Sequence, residues 1–185
     1  MNKLPKDVIE LITNKLTPRQ FFHYCKTDEA KDFCSRKEIW LRRIQKDFGF
    51  LLEGKNKNKL LFGYRDDPKR VYLNIFITTS TAAEQILEKI LENLGNTFLK
   101  FMRDDYKTNL YDFLFNYLLK MVNELHILEE EYKNDTASIA REYVAENRNW
   151  EEYLPSMYTS ELHEFWDDEI ANTVEKYAIL MFHSH

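Results

Sequence analysis

From Ile86 to Met181 apolar side chains return at every third or fourth position, with few breaks. Ile86, Leu87, Ile90, Leu91, Leu94, Phe98 and Phe101 form one stripe, interrupted only by Gly95. Leu110, Phe113, Leu114, Tyr117, Leu118, Met121, Leu125 and Leu128 form a second. Leu162, Phe165, Trp166, Ile170, Val174, Tyr177 and Met181 form a third. That period is the period of an α-helix with one face buried. The chain of 185 residues holds only 4 Gly and 4 Pro, so the stripes are seldom broken. The pattern predicts an all-α fold with helices at about 85–103, 106–133 and 160–182. A shorter helix is expected behind Asp135, carrying Ile139, Tyr143 and Val144. Thr81-Ala82-Ala83-Glu84 reads as a capping box, Asp104-Asp105 and Asn134-Asp135 as breaks, and Trp150 to Pro155 as a loop. Isolated helices of this length are marginal in water, so their apolar faces imply mutual burial in an antiparallel bundle. The units differ in length and pattern, which speaks against a repeat array.

The first fifty residues are organised differently. Leu4-Pro5 opens a helix, since proline has its φ preset and no N–H to lose in the first turn. Val8, Ile9, Leu11, Ile12 and Leu16 follow at helical spacing, and Thr17-Pro18 ends the run because the residue before proline avoids the α region. A second short helix has Phe21, Phe22, Tyr24 and Cys25 as apolar positions, a third Ala30 and Phe33, and a fourth Ile39, Trp40 and Ile44.

This ordered set resembles an F-box. The resemblance rests on Leu4, Pro5, Ile9, Leu16, Pro18, Phe21 and the Ile39-Trp40 pair. His23-Tyr24-Cys25-Lys26-Thr27, Phe33-Cys34 and Lys46-Asp47-Phe48-Gly49 make it similar to the F-box-like variant common in nucleocytoplasmic large DNA viruses. It covers roughly residues 3 to 50, about a quarter of the chain. The stretch Lys26 to Asp32 is more polar than in ordinary F-boxes. The resemblance implies a compact helical module that docks on a Skp-type adaptor of a cullin ubiquitin ligase. Leu4, Pro5, Ile9, Leu11, Leu16, Pro18, Phe21, Ile39 and Trp40 are the candidate partner-binding residues.

Composition and charge bound the rest. With 44% apolar and 31% charged residues this is the composition of a folded protein. No run of eighteen apolar residues suggests a membrane span, and Met1 leads almost directly into the first helix, with no secretory core. Two cysteines, Cys25 and Cys34, are few for a secreted scaffold, so a reducing, intracellular setting with buried thiols is expected, in the host cytoplasm or a virion. Their nine-residue spacing also permits a bridge between two helices. Scarce Gly and Pro with frequent Asn, Lys, Ile, Phe and Tyr suggest an AT-rich coding genome. Residues 1–79 hold 17 Lys and Arg against 10 Asp and Glu, a net +7; residues 80–185 hold 9 against 21, a net −12. The basic part suits an acidic partner, or simply forms solvated helix faces.

The polar, glycine-containing stretch 53–67 reads as the main break, and Asp66-Asp67-Pro68 starts a short helix at about 68–77 with Val71, Tyr72, Ile75 and Phe76 on one side. The β-branched run Ile77-Thr78-Thr79 leaves a strand possible there. The expected organisation is an F-box-like module at 1–52, a basic connecting segment with a short helix at 53–79, and an acidic helical bundle at 80–185 as a candidate interaction domain.

Signatures of chemistry are missing. No glycine-rich nucleotide loop occurs. His23, Cys25 and Cys34 lack a fourth ligand for zinc, and neither His126 nor His163 follows a glutamate by three residues, as a di-iron bundle requires. No enzyme activity, metal or cofactor is expected. Nucleic acid is not expected as a partner of the acidic part, since phosphate contact needs basic surface. Tyr111, Phe115, Tyr132 and Trp150 lie off or at the ends of the stripes and are candidates for an exposed protein-binding surface. The sequence therefore reads as a non-enzymatic F-box-like interaction protein recruiting a target to a ubiquitin ligase. The competing reading is a structural protein, such as a virion or minor capsid component contacting viral structural proteins, in which the F-box-like part is only a folded helical unit.

Overall fold

The computed structural model describes residues 6–53, 61–99, 104–132, 142, 144–146, 170–177 and 180–181. Among these the chain is mostly helical and contains no strand. Six α-helices run in order: α1 Lys6–Thr13, α2 Pro18–Tyr24, α3 Lys31–Cys34, α4 Lys37–Phe48, α5 Pro68–Leu99 and α6 Asp104–Tyr132. Single 3₁₀ turns at Asp28–Ala30 and Gly49–Leu52 lead into α3 and out of α4. Residues 144–146 and 170–177 are helical as well. The all-α expectation holds.

Local chemistry explains the boundaries. Thr17 caps α2: its hydroxyl accepts from the Gln20 N–H at 3.3 Å, and the Gln20 side chain accepts from the Thr17 N–H at 3.0 Å. With Pro18 in the first turn this is a complete capping box. At α5 the Asp67 carboxylate accepts from the Arg70 N–H at 3.1 Å, again with proline first. Gly63, at φ 73°, turns the chain into that start, its carbonyl accepting from the Asp66 and Asp67 N–H groups.

Helix α1 ends at Thr13, three residues earlier than its stripe suggests. Asn14 to Leu16 form a turn that leaves Leu16 half-buried against the core. The larger difference lies in α5. No helix starts at Thr81, and none ends at 77: one helix of 32 residues runs through. Nothing between 77 and 81 breaks a helix. Thr79, buried, donates from its hydroxyl to the Ile75 carbonyl at 2.7 Å, which satisfies that hydroxyl inside the helix, and burial of Ile75, Phe76 and Thr79 overrides the strand propensity of the β-branched run. Ala82 and Ala83 are buried instead of sitting in a first turn.

The boundary expected at 79/80 therefore falls inside α5. Its first turns pack on the N-terminal helices, and from Phe76 onward it also meets α6. Tyr72 lies 5.8 Å from the Phe21 ring, 5.3 Å from Trp40 and 5.0 Å from Phe48. One turn on, Phe76 meets Phe22 at 4.7 Å and Phe115 of α6 at 5.6 Å. The buried residues from Phe21 to Met181 form one continuous core. Farther along, Thr79 accepts from the Tyr177 hydroxyl at 2.8 Å, because its own proton is committed to Ile75. Burial pushes that phenol above its ordinary range.

Two outcomes are expected. Tyr72→Ala should destabilise the chain by about 3–5 kcal/mol in denaturant unfolding, the range for removing a buried aromatic. A chain truncated to 80–185 should lose its cooperative melt, because Phe115 on α6 loses Phe76 as cover and the core it shares with the N-terminal helices is opened.

Candidate docking surface

The surface is built from the C-terminal end of α1 upward. Four carbonyls at the end of any α-helix lack intrahelical donors. The Asn14, Lys15 and Leu16 N–H groups donate to the Glu10, Ile12 and Thr13 carbonyls, and α4 adds charged donors at Thr13 and in the turn that follows. Arg43 donates to the Thr13 carbonyl at 3.1 Å and to the Leu16 carbonyl at 3.3 Å. Lys46 donates to the Asn14 carbonyl and, at 3.1 Å, to that of Leu16. Arg42 pairs with Glu10 at 2.9 Å. Three cations on one face of α4 thus meet the negative end of the α1 dipole.

Arg43 is itself buried and must be compensated. Its guanidinium pairs with Asp47 one turn along, and stacks 4.3 Å from the Phe21 ring centre. The Tyr72 hydroxyl donates to the same Asp47 carboxylate at 2.7 Å. Burial pushes the Asp47 carboxyl above the usual carboxylate value against the pull of Arg43, the Tyr72 hydroxyl and Lys46. Burial and the neighbouring carboxylate raise the Tyr72 phenol well above its ordinary range. Burial and the adjacent Arg43 lower the Lys46 ammonium.

With its end held this way, α1 leaves Val8, Leu11 and Ile12 exposed, at 38%, 62% and 43%. They stand at i, i+3 and i+4, one apolar stripe on one face. Among the described side chains of α1 only Thr13 is buried.

The candidate partner-binding residues divide accordingly. Leu11 lies on the open stripe, and Leu16 and Pro18 are half-buried beside it. Phe21, Ile39 and Trp40 are buried in the core, so they support the surface instead of touching a partner. Leu4 and Pro5, and the side chain of Ile9, lie outside the described residues. Val8 and Ile12 belong to the open stripe too; the sequence places them on the apolar face of the first helix, outside the candidate partner-binding residues, and their place beside Leu11 on the helical wheel is the signal that joins them to it.

Other expectations change. Tyr111 and Phe115 are buried, not exposed: the Tyr111 hydroxyl is hydrogen-bonded to Ser80 at 2.7 Å, and Arg19 of α2 covers its ring at 4.6 Å. They look off-stripe because α6 is covered on two sides, by α5 and by the N-terminal helices. Tyr132 and Trp150, as side chains, lie outside the described residues, as do His126 and His163. Cys25 and Cys34 are not free thiols but form a disulfide. The turns from Lys26 to Ala30 bring the C-cap of α2 and the last residue of α3 to a Cα separation of 5.7 Å, the usual spacing for a bridge. The pair therefore supplies no thiolates to a metal beside His23. The Cys34 carbonyl accepts from the Trp40 indole at 2.7 Å, so the bridge abuts the core. No helix among the described residues is long and apolar enough to cross a membrane.

Comparison of the chain with family models, with curated proteins and with solved structures returns no match.

The bridge closes a short loop, so reduction, or Cys25→Ser with Cys34→Ser, should cost about 2–3 kcal/mol in unfolding experiments by the loop-closure relation. The unreduced chain should show no reactive thiol on titration.

Proposed function

We propose that this chain is a non-enzymatic protein-interaction module, F-box-like at its N-terminus. In this reading α1 docks on a Skp-type adaptor of a cullin ubiquitin ligase, and the acidic part after residue 80 holds the target. The observation that carries the reading is the open stripe Val8, Leu11 and Ile12 on a helix whose far end is fixed to the core. A short helix with anchors at i, i+3 and i+4 is the form in which a helix is taken into an apolar groove. The basic balance of residues 1–79, net +7, suits a groove with an acidic rim. The ordered F-box-like residues name the adaptor class, and they do so by resemblance. An intracellular location belongs to the same proposal through the adaptor class alone, since the Cys25–Cys34 disulfide removes the free thiols on which the expectation of a reducing setting rests.

Leu11→Asp tests it. At 62% exposure Leu11 contributes little to the core, so the fold should be kept within about 0.5 kcal/mol. Co-purification with a Skp-type adaptor and cullin should be lost. Unchanged co-purification would remove α1 from the docking role. A wild-type chain that recovers capsid proteins and no adaptor would favour the structural reading instead.

A further inference from the structure

The docking stripe sits on a helix that contributes one buried side chain, Thr13, among those described. Among the described side chains of α1 no apolar one is buried. The fixed contacts are polar and come from one face of α4: Arg42 to Glu10, Arg43 to the Thr13 and Leu16 carbonyls, Lys46 to the Asn14 and Leu16 carbonyls. Each of these bonds reaches the last turn of α1 or the turn just after it. The bonds from Arg43 and Lys46 involve a charged donor, the stronger class of hydrogen bond, and meet the end of the helix where the dipole is negative.

We propose that Arg43 and Lys46 are positioning residues of the docking face: Arg43 grips the last carbonyl of α1, both grip the turn that follows it, and together they hold Val8, Leu11 and Ile12 at the angle a partner groove meets. The inference rests on the docking reading for its consequence, and on the α4–α1 contacts for its mechanism. Two properties make the grip separable from the core. Lys46 is exposed, so it can be changed without leaving an unpaired buried charge. Arg43 is buried on Asp47, so its position is set by α4 and by Tyr72, and through it the docking helix is referenced to the part of the chain that binds the target. A merely structural lysine on the surface would affect neither the order of α1 nor the affinity of the stripe.

The experiment uses the full chain and purified Skp-type adaptor. Hydrogen exchange is measured for the amides of α1 and of α6 in the wild type and in Lys46→Met, Lys46→Arg and Arg43→Lys, alongside adaptor affinity. In Lys46→Met the α1 amides should exchange about tenfold faster while α6 is unchanged, the mark of a local opening. Adaptor affinity should fall by a similar factor, and Lys46→Arg should restore both. Arg43→Lys, which keeps the charge opposite Asp47 but loses the fork, should act in the same direction as Lys46→Met. Unchanged α1 exchange in both Lys46→Met and Arg43→Lys would overturn the proposal. So would faster α1 exchange with wild-type adaptor affinity, since the grip would then position nothing that matters. Faster α1 exchange in a chain whose wild type does not bind the adaptor would support the grip and end the docking reading, so the two can fail separately.

Discussion

The Asp47 carboxylate is the point at which the parts of this chain are tied together. It takes the Arg43 guanidinium from its own helix and the Tyr72 hydroxyl from α5. Arg43 in turn holds the end of α1. A buried ion pair is weak evidence of net stability, but removing one partner leaves the other charge without compensation. Its evident contribution is geometric: one carboxylate fixes Arg43 of α4 against Tyr72 of α5, and Arg43 reaches the end of α1. The energy comes from the rings around it, Phe21, Trp40, Phe48 and Phe76, which surround Tyr72.

This explains why the N-terminal helices and the long helices form one core. Helix α5 carries Val71, Tyr72, Ile75 and Phe76 into the N-terminal part and Ala83, Ile86 and Ile90 into the remainder. Helix α5 is thus continuous from the residues that meet α2 and α4 to those that meet α6.

Much of the fold was legible from residue order. Thr17-Pro18 and Asp66-Asp67-Pro68 start helices because the cap and the proline act within a few residues of themselves. The stripe Leu110, Leu114, Leu118, Met121 reports a buried face because period alone decides which side chains share it. What misled the reading was equally local. Thr81 to Glu84 has the letters of a capping box, but a cap acts only where the chain is not already helical, and nothing before it ends α5. Ile77-Thr78-Thr79 has strand propensity, which packing of Ile75, Phe76 and Thr79 overrides. The aromatics Tyr111 and Phe115 read as exposed because a single stripe was assumed for a helix that is covered on two sides.

By itself the sequence determined the helical class, the positions of most helix starts and the stripe that α1 can offer, because each follows from local sterics, capping chemistry and the 3.6-residue period. Only the tertiary structure decided which of those apolar residues stay open. Phe21, Ile39 and Trp40 sit among the same F-box-like residues as Leu11, yet they are buried while Leu11 is not, and Tyr72 of α5 lies against the Phe21 and Trp40 rings. The pairing of Cys25 with Cys34 and the grip of Arg43 and Lys46 on α1 are of the same kind. The grip joins residues some thirty positions apart, and the disulfide needs the two helix ends to be folded toward each other. Neither distance is written in periodicity or composition.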